Sequence, residues 1–368
     1  MVRFTKFLVA LAVVAFLTCG TLLTSGLADG GANHRVRNQH FGVSGGNVND
    51  ITRRFCCSGT LGALVTFNGV DYVLSNNHVL GLSGNATVGD DISQPGLIDN
   101  NCRVSTVVAD FTAAAPLGSN VDAAVAQLRP GQMDASGFIE DIGVPSSTVV
   151  APQVGMNVAK SGRTTGFTTG TISSTNTSVS VQYQQNCGSG KKFVVSYTNQ
   201  VVVNSSTFSA GGDSGSLIVT NDNAHNPVAL LFAGSSTTTI GNPIGEVLSK
   251  LGAVLGGTGT FEGSVRVHGR GPKVGEEGIQ PFIPSVGGRM QLPEQASGRA
   301  LAVLEQHRAN LMFQPGVIGA GVGTSADDDQ EAAIVVYVDR TGSARPVLSP
   351  SLDGVPVRVV LTDPFVAF

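Results

Sequence analysis

Tryptophan is absent from the chain, aromatic residues make up 6%, and charged residues only 13%, about half the usual ~25%. A disordered chain needs high charge and little apolar content, and 41% hydrophobic residues give the reverse. Neither charge sign is in surplus: 22 Lys and Arg oppose 26 Asp and Glu, for a net charge of −4. That balance leaves no basic footprint for nucleic acid. The five cysteines include no C-x-x-C pair, so no metal site of zinc-ribbon spacing is expected. Beyond the N-terminus no stretch approaches 18 apolar residues, which excludes further membrane-spanning helices. Glycine is what the chain has in excess, 48 of 368 residues, or about 13% against a typical ~7%. With many Ser, Thr and Val and a mean hydropathy of +0.18, this composition suits short strands joined by tight turns. An all-β architecture is expected, in two to three domains at roughly 150 residues each.

The N-terminus reads as a targeting segment. Arg3 and Lys6 precede the apolar run Phe7–Leu17, and Gly26-Leu27-Ala28 is a small-x-small cleavage pattern. Residues 1–28 are therefore expected to be a signal peptide, and the protein secreted or held at the cell surface. The competing readings are a retained membrane anchor over residues 7–28 and lipidation at Cys19. Without Cys19, four cysteines remain: Cys56, Cys57, Cys102 and Cys187. An even number in an exported chain implies disulfides. Adjacent cysteines rarely bridge each other, so Cys56 and Cys57 should each take Cys102 or Cys187. Both pairings are open at this level.

The rest divides by composition. Residues 29–50, rich in Gly, Asn and Ser, are expected to form a loose arm. Residues 51–255 alternate short apolar runs with turn residues. The runs are Thr60–Phe67, Tyr72–Leu74, Val121–Leu128, Thr148–Ala151, Val194–Tyr197, Val201–Val203, Ser216–Val219 and Val228–Ala233. Asn68-Gly69 is a hairpin signal. A linker is expected over 256–293. Residues 294–368 are expected to be a separate small α+β unit. There Ala300, Val303, Leu304, His307 and Leu311 recur at helical spacing, followed by strand-like runs over Gly316–Gly323, Ala333–Asp339 and Val355–Leu361. Asp327-Asp328-Asp329-Gln330 reads as a hairpin tip, and His307 as a packed or edge histidine.

The chemistry concentrates in Gly211-Gly212-Asp213-Ser214-Gly215-Ser216. Glycines allow a tight turn that presents two N–H groups to one point, which is the device that stabilises an acyl-transfer oxyanion. Ser214 is placed as a nucleophile and needs a base. Of six histidines, His78 stands in the most ordered context, at the end of the Tyr72–Leu74 run. The base needs a buried acid, and Asp122 is a lone carboxylate in the apolar run Val121–Ala126.

The order His78, Asp122, Ser214 resembles that of trypsin-like (chymotrypsin-fold) serine peptidases. The similarity extends to Cys57–Leu61 before the histidine, Ser161–Gly166, and Leu231–Gly234 after the nucleophile. Leu74–Leu80, Gly212–Leu217 and Phe232–Thr238 are closest to a bacterial group related to the plant narrow-leaf protein. The resemblance covers about 51–255. It implies an all-β double β-barrel, with 51–152 and 153–255 as the two barrels and 294–368 appended as the small α+β domain. It implies a serine endopeptidase acting on protein or peptide through an acyl-enzyme, with no cofactor. Gly212 and Ser214 N–H groups would form the oxyanion hole. Phe208, Ser209 and Gly234 would line a specificity pocket with no buried acid, suited to apolar or small uncharged residues. The sequence departs from the family at Ser216, at Asn76-Asn77 and at Val79, and lacks an N-terminal activation site. That makes a self-assembled oxyanion hole the expectation. Residues 294–368 could contact the protease domain across the linker. The alternatives are an inactive fold used as a binding scaffold and an α/β-hydrolase esterase; the latter needs Gly-x-Ser-x-Gly and the order Ser, Asp, His, whereas position 216 is serine and only His225, His268 and His307 follow Ser214.

Overall fold

A computed structural model describes residues 33–261 and 291–368. The expected signal segment, and most of the expected linker, lie outside the described residues. In chain order the strands are β1 (Val43–Asn47), β2 (Gly59–Leu61), β3 (Ala63–Phe67), β4 (Val70–Ser75), β5 (Asp91–Gln94), β6 (Thr106–Ala114) and β7 (Ala124–Leu128). There follow β8 (Asn157–Gly162), β9 (Gly166–Asn186), β10 (Ser189–Asn204), β11 (Leu217–Thr220), β12 (Pro227–Gly234), β13 (Thr238–Pro243) and β14 (Gly259–Thr260). The last are β15 (Val317–Thr324), β16 (Ala332–Asp339), β17 (Ser351–Leu352), β18 (Val355–Thr362) and β19 (Phe365–Ala367). The α-helices are α1 (Asn77–Leu80), α2 (Ile244–Leu255) and α3 (Glu294–Phe313).

The first sheet runs β14-β3-β4-β7-β6-β5-β1-β2. Because β2 and β3 are one segment broken only at Gly62, this order closes on itself as a barrel. The second sheet runs β10-β13-β12-β11-β8-β9, and β9 pairs again with β10, closing a second barrel. The double β-barrel is thus the observed architecture. Asn68 and Gly69 both adopt positive φ, 52° and 76°, the type I′ geometry that suits the twist of the β3–β4 hairpin. One apolar core includes Leu61, Phe67, Leu74 and Ile92 of the first barrel and reaches Ala159, Leu217, Val219 and Leu230 of the second; another, within the second barrel, includes Val158, Phe208 and Leu231.

Four expectations change. The glycine-rich arm is not loose from Val43 on: β1 is wholly buried and pairs with β2 and β5. Its glycines serve close packing, since a Cβ on Gly45 would lie 2.4 Å from Leu61. Thr148–Ala151 is not a strand, although Val150 packs beside the second core. The start of the expected linker belongs to the first barrel: β14 pairs with β3 and Phe261 is buried in that core, as are Ile244, Val247 and Leu251 of α2. Finally, the C-terminal residues have the expected helix and strands, with Ala300, Val303 and Leu304 of α3 against the strands. Their sheet, however, is not a separate one. The strands β15-β16-β18, the first pair antiparallel and the second parallel, continue the second barrel through the β9–β15 pairing. β9 runs for 21 residues, longer than the barrel needs, and its free edge must be covered.

Candidate active site

His78 sits in the single turn of α1, where β4 leaves the first barrel. Asp122 enters just before β7, whose pairing with β4 sets the two side by side. Asp122 is fully buried. Its Oδ2 accepts from His78 Nδ1 at 2.6 Å and its Oδ1 from the His78 backbone N–H at 3.1 Å. That pair of bonds orients the ring and assigns the proton to Nδ1. Two further clamps come from the residues that depart from the family pattern. Asn76 Nδ2 donates to the Asp122 carbonyl at 2.7 Å, and Asn77 Nδ2 to Ala115 at 2.8 Å. The Asp122 N–H donates to Asn242 Oδ1 of the second barrel at 3.0 Å.

Sequence reasoning missed a third donor. The Tyr183 hydroxyl, from β9, donates to Asp122 Oδ2 at 2.8 Å and is 2.6 Å from the Tyr197 hydroxyl. Burial, with the Asp122 charge beside it, holds the Tyr183 hydroxyl well above its ordinary pKa, so it remains a donor. No local signal marks Tyr183, which is 61 residues from Asp122 in an unremarkable strand sequence. Burial opposes charge on His78, but Asp122, the Phe368 backbone and Asp50 outweigh it, and the imidazole pKa lies above its usual value. Asp50, nearby in the cleft, is pushed up to about 6 by burial, against the pull of His78.

The Gly211–Ser216 turn comes from the second barrel, between β10 and β11. Gly212 takes φ +97°, a conformation that strains any residue with a Cβ. The Gly211 carbonyl accepts from Thr164 Oγ1 at 2.7 Å, and the Asp213 carbonyl from Ser216 Oγ at 2.6 Å. In a planar trans peptide the N–H points opposite to its carbonyl. Anchoring these two carbonyls therefore turns the Gly212 and Ser214 N–H groups the other way, and neither donates to a described protein acceptor. The side chain at 216, where the family has glycine, thus holds the turn.

Asp213 supports the turn from below. It accepts from Thr164 N–H (2.7 Å), Thr165 N–H (3.2 Å), Thr165 Oγ1 (2.7 Å) and Ala210 N–H (3.0 Å). Its counter-charge is Lys160 of β8, 3.4 Å away, and both side chains are fully buried. Burial lowers the Lys160 pKa, and Asp213 opposes that. A lysine of the chain's own interior thus supplies the cation, and no cleaved N-terminus is needed.

Ser214 lies beside this machinery, fully buried, but its hydroxyl donates to the Phe232 carbonyl at 3.0 Å and not to His78. His78 Nε2 instead donates to the carbonyl oxygen of Phe368 at 3.0 Å. Gly234 closes one side of the neighbouring pocket against the Phe368 ring. Phe208 is buried in the apolar cluster on which Phe368 packs, and Ser209 Oγ is 2.5 Å from Thr239 Oγ1. Two disulfides frame the approach: Cys56–Cys102 and Cys57–Cys187. The second ties the first barrel to the tip of the β9–β10 hairpin. Between them opens a cleft of about 630 Å³ lined by Asp50, His78, Arg163, Tyr183, Gly212 and Phe368 among others.

Two closed barrels, with such a turn facing a histidine–aspartate pair, define the chymotrypsin-fold serine peptidases. The model of peptidase family S64 matches residues 70–254, half of the chain, and the chain belongs to that family. The matched span contains His78, Asp122 and Ser214. Among solved structures it is similar to a glutamic acid-specific serine protease that uses a histidine triad in substrate binding. The identity there is 21%, the TM-score 0.42, and the match covers 60% of this chain and 98% of that one. A Nocardiopsis protease is 17% identical (TM-score 0.37, 52% and 88% covered). Cellulomonas bogoriensis chymotrypsin is 18% identical (TM-score 0.39, 58% and 96% covered). A comparison with curated proteins finds no match. Among the described residues no helix is long and apolar enough to cross a membrane.

Proposed function

We propose that this serine peptidase is an exported endopeptidase in which Ser214, His78 and Asp122 act as a triad. His78 Nε2 takes the Ser214 proton as the hydroxyl oxygen attacks the scissile carbonyl, and later returns a proton to the leaving amine. Asp122 holds the imidazole by Nδ1–H and stabilises the imidazolium, with Tyr183 fixing the carboxylate. The Gly212 and Ser214 N–H groups receive the oxyanion. Attack requires the Ser214 hydroxyl to leave the Phe232 carbonyl for Nε2.

The observation that carries this reading is the orientation of His78. One ring nitrogen is committed to a buried carboxylate and the other, Nε2, faces the cleft, where it meets a main-chain oxygen of Phe368. Export is supported by the two disulfides, which persist in oxidising compartments. The apolar surroundings of Phe208, with no acid there, favour substrates with apolar or small uncharged residues before the scissile bond. The test is the mature protein on a peptide library beside Ser214→Ala. Cleavage after apolar residues, lost in Ser214→Ala, is expected. Equal cleavage by the variant, or cleavage mainly after Arg and Lys, overturns the assignment or the specificity respectively.

A further inference from the structure

The last strand lies where a substrate strand would lie. β19 pairs antiparallel with β12, placing Ala367 opposite Ala233 and Val366 opposite Gly234. Its other edge pairs parallel with β9, Phe365 opposite Val181 and Val366 opposite Gln182. Beyond β19 the Phe368 N–H donates to the Phe232 carbonyl at 3.3 Å, and the Phe368 carbonyl oxygen accepts from His78 Nε2. The Phe368 ring lies over Gly234, where a Cβ would come within 2.6 Å of its Cζ, and rests on the cluster containing Phe208, Val203 and Leu231. The segment is anchored upstream. Phe365 is buried against Tyr337 at a centroid distance of 5.9 Å. Thr362 Oγ1 is 2.6 Å from Ser235 Oγ, just past β12.

We propose that Phe365–Phe368 is an internal occupant of the substrate seat, and that it reports the substrate class. That class is extended peptides with an aromatic or large apolar side chain at the residue whose carbonyl is attacked, preceded by small aliphatic residues. This rests on the endopeptidase reading and deepens it. Apart from the bond to His78, the main-chain contacts are those that any extended peptide makes on a sheet edge. Only the side chains choose, and the one facing the apolar cluster is phenyl. The same contact explains the idle nucleophile. With Phe368 in place, both ring nitrogens of His78 donate, Nδ1 to Asp122 and Nε2 to Phe368. A doubly protonated imidazole cannot accept the Ser214 proton, so the hydroxyl turns to Phe232. In the full chain the segment thereby competes with substrate for the site.

A tethered segment competes at an effective concentration on the order of millimolar, so its loss should be visible. The experiment compares the full chain with Phe368→Asp, whose carboxylate is disfavoured in an apolar seat, and with Phe368→Tyr, which keeps the ring. The probe is acetyl-Phe-Val-Ala-Phe, with its binding measured by calorimetry. Alongside it, anilide substrates of the same sequence ending in Phe, Lys or Glu are hydrolysed. Phe368→Asp is expected to bind the tetrapeptide about tenfold more tightly than wild type, while Phe368→Tyr stays near wild type. The Phe anilide should be cleaved at least about tenfold faster than the Lys or Glu forms. Identical binding by all three proteins overturns internal occupancy, and preference for Lys or Glu overturns the substrate class. Binding needs no turnover, so the two readings separate. Tighter binding with no hydrolysis sinks the endopeptidase and keeps the seat. Hydrolysis dependent on Ser214 but indifferent to Phe368 does the reverse. If Phe368→Asp unfolds, as its circular dichroism would reveal, Phe368→Ala replaces it.

Discussion

Two aspartates of the molecule, Asp122 and Asp213, are both fully buried and both face a cation, yet their surroundings differ in kind. Asp213 takes its bonds from backbone N–H groups, a threonine and a lysine that is itself fully buried. Neither charge is exposed to solvent. Asp122 is paired with a histidine that keeps 12% of its side chain exposed, and its cation comes and goes with a proton. The first pair holds the shape of a turn; the second holds a reactive group at the edge of the cleft. Burial alone therefore does not mark the working carboxylate. The identity of the cation and its access to the cleft do.

The comparison is broken most severely at the proposed catalytic pair. His78→Ala is expected to lower peptidase turnover by several orders of magnitude, and Asp122→Asn comparably, because the amide favours the wrong tautomer. The folded state should survive both. Steady-state hydrolysis beside unfolding curves decides this, and near wild-type turnover in either variant removes that residue from the triad. Lys160→Met does the opposite. It leaves Asp213 buried and unpaired, which costs about 3–5 kcal/mol, so denaturant unfolding should show a large loss of stability with activity falling only in proportion to the unfolded or misformed turn. An unchanged midpoint would mean that Asp213 needs no internal cation.

The smallest effect sharpens the Asp122 side. Tyr183→Phe deletes one hydrogen bond to the carboxylate, an interaction of about 1.5–3 kcal/mol for a charged acceptor. It should cost roughly tenfold in kcat or more, with KM little changed. The pH profile carries a further mark. His78 must be neutral to act as base, and its pKa lies above the ordinary histidine value through Asp122, Phe368 and Asp50. Activity should therefore rise with pH through a limb above pH ~6.5, and that limb should move to lower pH when Phe368 is displaced. Stability has the matching sign: a raised histidine pKa contributes stability below the unfolded-state value, and that is lost as pH rises through the folded one. A limb that stays put in Phe368→Asp contradicts the bond from Nε2 to Phe368.

Much of this was legible in the residues. Short apolar runs between glycine and asparagine turns announce an all-β chain, and Asn68-Gly69 forms its hairpin because both positions tolerate positive φ. Gly212–Ser216 shows a turn that only glycine can make. His78 is legible as a histidine at the end of a strand-like run, and Asp122 as a lone carboxylate in an apolar run. Other features escape because their signal is not local. The glycines of β1 look like those of a flexible arm until Leu61 is seen against Gly45. Lys160 is a lone charge in a strand until Asp213, 53 residues away, arrives beside it.

Sequence alone determined the strand-rich class, the residues able to do acyl transfer and the cysteines able to bridge, because these follow from side-chain chemistry and from spacing along one chain. Only the tertiary structure decided which cysteine meets which, that Tyr183 rather than a nearer residue completes the Asp122 site, and that the strands after α3 continue the second barrel. It also decided that Phe368, 290 residues from His78, lies at its imidazole. Sheet edges pair by backbone hydrogen bonds that every residue carries, so which edge a strand finds is written in the packing of its neighbours and not in its own residues.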